Sequence, residues 1–312
     1  MAEMIINDIP LYPGDNKLVR LNISRLPSGT KIDIPIHVFR AEEPGPVLLL
    51  MAGMHGDEVN GVEVIRRMIR REMLIPLKGS VLAIPVLNIY GFLNFSREVP
   101  DGKDVNRSFP GNEKGSLASR VAARFTKEIL PLVDYGIDFH TGGRSKSNFP
   151  QIRCRMEDGE SETLARAFGA PYILNSNYRP GSLRQEASTQ GKSIIVYEGG
   201  ESLRFDEPGI ILAMEGTCRV MHHLGMLETS VPVSHPPIVC QSTTWIRARR
   251  AGLFRSFVKN GQGISRGQQV GAVSDPYGYA THPITSHVSG YVVGINNMPV
   301  VNQGDAVLHI GY

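Results

Sequence analysis

The chain has 312 residues, with 33 Lys+Arg against 30 Asp+Glu, a formal net charge of +3 and 41 % hydrophobic residues. This length can bury an ordinary core as one large domain or two unequal ones, without staples. The near-balanced charge argues against a nucleic-acid groove, and no apolar run approaches the roughly 18 residues of a membrane span. The cysteines Cys154, Cys218 and Cys240 are odd in number, far apart and form no CxxC pair, so they read as core thiols of a reducing compartment. The opening MAEMIINDIPLYPGDNK lacks the basic-then-apolar pattern of a secretory signal, and a cytoplasmic location is expected by default. The basic cluster from Arg247 to Arg250 reads as a solvated face.

In chain order, PVLLLMAG (Pro46 to Gly53) predicts a buried strand, and Val59, Val62, Ile65 and Ile69 follow at helical spacing. SVLAIPVLN (Ser80 to Asn88) predicts a second strand, and Leu117, Val121, Phe125 and Ile129 a second helix that stops before Pro131. YGIDF (Tyr135 to Phe139) and SIIVY (Ser193 to Tyr197) are further strands, and Ile210, Met214, Met221 and Leu224 mark a closing helix ended by Gly225. Such alternation predicts an α/β unit built on a largely parallel sheet. At VPVSHPPIV (Val231 to Val239) three prolines suggest a linker, with the boundary placed at 235/236. WIRA, GLFRSFV, QVGAV, SGYVVGI and DAVLHIGY then read as short strands between glycine turns, a small all-β unit over 236–312.

The chemistry-bearing residues fall at predicted strand ends. His55 and Glu58, in MHGDE, stand three positions apart after the first strand; taken alone, they read more readily as a surface loop that caps the next helix through Asp57 or Glu58. His140 closes YGIDF before Gly142 and Gly143. Ligands of open α/β sheets bind at the carboxyl ends of strands, so these three residues can gather at one crevice. Two imidazoles and a carboxylate are the donor set of a catalytic zinc with one open position. Such an ion polarises an acyl oxygen and brings the pKa of a water towards ~7. Glu198 follows SIIVY and precedes Gly199 and Gly200, where a carboxylate can take a proton from water and give it to a leaving amine. Asn106 and Arg107 set an amide beside a guanidinium, suited to a substrate carboxylate, and Arg97 is a candidate for stabilising an oxyanion. Arg144 and Lys146 either contact an acidic substrate or face water.

The order HGDE, DVNR, IDFHTGG, VYEGG resembles the succinylglutamate desuccinylase/aspartoacylase family of the zinc carboxypeptidase clan, over roughly residues 30 to 225. The resemblance implies an α/β/α sandwich around a mixed, largely parallel sheet, followed by a small β domain. It implies one Zn²⁺ on His55, Glu58 and His140, Glu198 as general base and acid, Asn106 with Arg107 as carboxylate clamp, and Arg97 at the oxyanion. It also implies Asp104 as the acid that orients the first histidine. SGYVVGI and GDAVLHIG resemble the barrel-sandwich pieces of biotinyl and lipoyl carrier domains, with no lysine at the expected turn. His37, His222, His223, His235, His282, His287 and His309 read as packing or surface residues, and the chain carries no nucleotide-binding glycine motif.

The expectation is therefore a zinc-dependent hydrolase that cleaves the linear amide of a small N-acylated amino acid or related amine. A metallocarboxypeptidase acting on peptide C-termini is the alternative, and a non-catalytic binding module on the same fold the reading from another class. Neither nucleic acid nor membrane is expected as a partner, and a homo-oligomer is left open.

Overall fold

A computed structural model describes residues 4–25, 28–233 and 235–312. Four parallel strands form the centre of its 13-stranded sheet, in the order Ser193–Glu201, Tyr135–Gly142, Glu43–Met51 and Lys78–Ile84. Their apolar runs, such as Val47 to Met51, suit strands that are covered on both faces. Antiparallel strands flank this centre: Lys31–Arg40 and Asn16–Arg25 on one side, Lys146–Cys154 on the other. The sheet is thus mixed, with the parallel portion where strand and helix alternate in the sequence.

Helices lie on both faces. Leu117–Glu128 starts at Ser116, whose side chain accepts from Ser119 N, and buries Ala118, Val121, Ala122 and Phe125 against one face. Asn60–Arg70, Gly159–Phe168 and Glu207–His223 cover the other, where Val64, Ile65, Met68, Phe168 and Ile210 join Leu48, Leu50 and Phe139. The last of these helices ends near Gly225, whose φ of 68° is the left-handed conformation that glycine adopts freely. Among the described residues no helix is long and apolar enough to cross a membrane. The three cysteines are free thiols, and burial pushes Cys154 up to about 12.

Ser234, within the proline-rich stretch, lies outside the described residues. Ile238–Cys240 beyond it pairs in parallel with Tyr172–Asn175. The following β segments form a four-stranded sheet together with strands that continue the main sheet: Gly290–Asn296 pairs with Lys146–Cys154, then Ala306–Gly311 and Thr243–Arg247 follow outward. Hydrogen bonding therefore runs unbroken from the α/β layer into the C-terminal β segments. The Lys146–Cys154 strand makes that junction, and the sequence pattern does not announce it.

An ion-pair network joins two of the helices. Glu63 accepts from Arg66 Nε (2.6 Å) and Arg67 Nε (2.6 Å), and Arg67 in turn donates through Nη2 to Glu207 (2.8 Å) at the start of Glu207–His223. Hydrogen bonds from Arg66 and then Arg67 outweigh burial and hold the Glu63 carboxyl down to about 2, from an ordinary 4.5. A carboxyl lowered in the folded state contributes stability above its unfolded pKa and loses it as pH falls through the folded one. Thermal unfolding of the wild type should therefore lose stability between pH 4.5 and about 2. Glu63→Gln should cost on the order of 1 kcal/mol at neutral pH and flatten that acid limb.

Candidate active site

The parallel register of Glu43–Met51 and Tyr135–Gly142 brings their carboxyl ends together, with Met51 opposite Asp138. His55 and Glu58 lie in the loop that follows the first strand, and His140 lies on the second. Their ligand atoms all fall within 4.8 Å of one another, and all three side chains are buried. Glu58 bridges the pair, with Oε1 2.8 Å from His55 Nδ1 and Oε2 2.8 Å from His140 Nδ1. The backbone N–H of Thr141 also donates to Oε2, at 3.2 Å. Gly56 lets this loop close: a Cβ there would stand 1.8 Å from the backbone carbon of Gly91.

Each imidazole has an acid at its far nitrogen. His55 Nε2 is 3.3 Å from Asp104 Oδ1, and His140 Nε2 is 2.8 Å from Asp138 Oδ2. His140 Nε2 is hydrogen-bonded outward to Asp138 and His55 Nε2 stands in ion-pair range of Asp104, so both Nδ1 atoms are turned to the point where Glu58 also aims, the orientation a metal ion needs. The donor set thus fits a divalent ion. Electrostatics agree with the geometry. Burial would raise the Glu58 carboxyl, yet the charges of His55 and His140 pull it well below its ordinary value. Burial would lower His140, yet Asp138 and Glu58 raise it well above 6.5.

Glu198 is the register partner of His140 on the neighbouring parallel strand. Its Oε2 accepts from Asn148 Nδ2 at 2.5 Å, and its Oε1 lies 3.3 Å from Arg153 Nη1. Arg97 donates through Nε (3.0 Å) and Nη2 (2.9 Å) to Asp104 Oδ2, while its Nη1 lies 3.5 Å from Glu58 Oε1. Asp104 also starts the short turn Val105–Arg107 by accepting from Asn106 N at 2.7 Å. Asn106 Oδ1 accepts from Leu183 N at 3.0 Å, which leaves its NH₂ as the group available to a carboxylate. All the residues expected from the sequence at the metal, base, oxyanion and clamp positions line one cavity of about 390 Å³. Lys146 lines it too, whereas Arg144 lies largely exposed and pairs with Glu98 at 3.2 Å.

Other residues at the site had no reading in the sequence. Asp138 stands two positions before His140, on the same face of the strand, and that spacing is the signal that could have found it. Asn148 and Arg153 lie on the unannounced Lys146–Cys154 strand, Arg184 on a short helix, Leu183–Thr189, Arg179 in the loop before it, and Trp245 in the C-terminal segment.

Parallel strands whose ends gather a buried His, Glu, His set able to hold a metal ion, with a carboxylate in register beside it, have the make-up of a hydrolase centre. Residues 44–224 match the family described as succinylglutamate desuccinylase/aspartoacylase catalytic domain, and the chain belongs to that family of amide-cleaving deacylases. It is 28 % identical over 288 residues to the N-alpha-acetyl-L-2,4-diaminobutyric acid deacetylase of Halomonas elongata, covering 88 % of this chain and 84 % of that protein. The crystal structure of a succinylglutamate desuccinylase/aspartoacylase from Rhodobacter sphaeroides matches with a TM-score of 0.84 and 26 % identity, over 96 % of this chain and 95 % of that one. The product-bound ectoine utilization protein EutE (DoeB) from Ruegeria pomeroyi matches in fold, with a TM-score of 0.85 and 23 % identity over 100 % and 99 % of the chains.

Since Asp138 is placed to orient His140, Asp138→Asn should weaken binding of a divalent metal ion about 10- to 100-fold with the fold intact. Competition against a chromophoric chelator measures the affinity, and circular dichroism checks the fold.

Proposed function

We propose that the chain is a zinc deacylase that releases a small acyl group from an N-acylated, anionic amino acid. His55, Glu58 and His140 would hold the ion. Residues 1–235 would form the hydrolase unit and 236–312 the β unit. The observation that carries this reading is the register of Glu198 with His140, which sets a carboxylate beside the metal-type donor set in one cavity. A zinc ion bound there supplies a Lewis acid for the acyl oxygen and makes water a nucleophile near neutral pH. Glu198, oriented by Asn148 and Arg153, takes the proton of the attacking water and delivers it to the departing nitrogen. Arg97, braced by Asp104, offers Nη1 to the charge that develops on the acyl oxygen.

Substrate charge follows from the lining. Arg97, Arg107, Lys146, Arg153, Arg179 and Arg184 face the cavity against the carboxylates of Glu58 and Glu198. Arg153 Nε and Arg184 Nη1 are buried donors without a hydrogen-bond partner among the described residues. Such a surplus favours an anion, with Asn106 and Arg107 holding its carboxylate. A cavity of about 390 Å³ suits a small molecule better than a peptide chain, which supports deacylation over carboxypeptidase action. The Halomonas relative is named for an acetyl group on diaminobutyrate, so acetylated amino acids are the first substrates to try.

Purified Glu198→Gln should keep its zinc and lose at least about 10²-fold in kcat on N-acetyl amino acids, whereas His140→Ala should lose both metal and turnover. Full activity of Glu198→Gln would remove the proposed base. Arg107→Ala should raise KM at least tenfold for substrates with a free carboxylate, and much less for the corresponding amides.

A further inference from the structure

Trp245 is the only tryptophan of the chain. It lies on the Thr243–Arg247 strand, far in sequence from the catalytic segments, yet it lines the cavity shared by Glu58 and Glu198. Its indole stacks flat on the imidazole of His309, centroids 4.3 Å apart and planes 4° from parallel, because the two are register partners on antiparallel strands. The same row continues inward. His309 stands opposite Gly294, Gly294 opposite Asn148, and Asn148 donates to Glu198. Gly294 is a bare step in this row: a Cβ there would lie 2.8 Å from Asn148 Oδ1 and 3.4 Å from His309 Cβ. Any larger residue would crowd the amide that orients Glu198.

His309 is 5 % exposed, and its Nδ1 has no hydrogen-bond partner among the described residues. Burial, then the charges of Arg153 and Arg179, push its pKa down to about 3, so the ring is neutral at working pH. The stack is therefore an uncharged aromatic pair set beside guanidinium groups. Trp245 is half-buried, with one face spent on His309. Among the described residues that line the cavity, Val196 and Trp245 are the hydrophobic side chains; the others are polar, charged or glycine. Arg179, which acts on His309, also acts on Arg107, the arm of the carboxylate clamp. The indole thus shares one cavity with the proposed carboxylate clamp, Asn106 and Arg107.

We propose that Trp245 is a specificity-determining residue, the apolar wall against which the hydrocarbon part of the departing amine packs. His309 is a positioning residue that holds the indole flat. The word amine rests on the deacylase reading; the place of the indole in the ligand cavity does not. An aromatic ring fixed by stacking presents a constant surface at small entropic cost, and apolar contacts of this kind discriminate chain length by about 10- to 200-fold.

Hydrolysis of N-acetyl-L-alanine, N-acetyl-L-norvaline and N-acetyl-L-norleucine by the zinc-loaded wild type, Trp245→Ala, His309→Ala and His309→Phe tests the assignment. Trp245→Ala should lower the norleucine-to-alanine ratio of kcat/KM about tenfold, through KM. His309→Ala should shift the ratio the same way, and His309→Phe, which keeps a flat neutral ring, should restore it. An unchanged ratio in Trp245→Ala would overturn the proposal. A second readout needs no turnover: the single tryptophan should change its fluorescence saturably as free L-norleucine and L-glutamate are added to the zinc-loaded wild type. Lack of hydrolysis across the panel sinks the deacylase reading, and fluorescence then decides on Trp245 alone. A saturable response keeps it in the ligand site, and a flat titration removes it.

Discussion

Glu58 is the residue on which the site depends. Its two oxygens reach His55 and His140 at 2.8 Å each, in a place where all three groups are buried. A carboxylate taken so far from water is costly unless it is paired, and two imidazoles braced by Asp104 and Asp138 pair it. The arrangement therefore forms a chain of alternating acid and base, Asp104, His55, Glu58, His140, Asp138. Each member fixes the orientation of the next. A divalent ion that entered here would meet donors already turned towards it, which limits the reorganisation that binding requires.

The sheet positions a second part of the site. Parallel neighbours bring His140 and Glu198 into register, so the sheet itself sets one metal-type donor beside that carboxylate, while His55 and Glu58 come from the loop that follows Glu43–Met51. The Lys146–Cys154 strand then adds Asn148 and Arg153, which hold the two oxygens of Glu198. Since the C-terminal strand Gly290–Asn296 pairs with that same strand, the β segments that follow are joined by backbone hydrogen bonds to the catalytic edge. Residues at opposite ends of the chain are thereby held to a common frame.

Charge gives the cavity its character. The whole chain is nearly neutral, at +3, yet guanidinium groups from four separate segments converge on one small space. Bulk charge says little about a site, because a field depends on where charges stand and how much water lies between them. Arg184 illustrates this: it spends Nη2 on the carbonyls of Ser176 and Asn177, and its Nη1 stays buried and unmatched by a hydrogen bond. Against these cations Val196 and Trp245, the latter stacked on the buried His309, are the apolar exceptions.

Local pattern sufficed for much of the molecule. The apolar runs at Val47 to Met51, Tyr135 to Phe139 and Ser193 to Tyr197 are strands, and the four-residue rhythm from Leu117 is a helix, since burial on both faces or on one stripe leaves a mark that neighbours alone reveal. His55, Glu58, His140 and Glu198 were legible because each follows such a run. Asn148, Arg153, Arg179, Arg184 and Trp245 were not, as nothing in KSNFPQIRC or TTWIR distinguishes a cavity wall from a solvated edge. Their places come from tertiary structure, and for Asn148, Arg153 and Trp245 from strand order and register; pairing between distant strands leaves no trace in either strand by itself. What the sequence determined unaided was the strand ends and the chemistry available at them. Only the tertiary structure decided which of those ends share an edge, which acids stand behind the imidazoles, and which aromatic faces the space between.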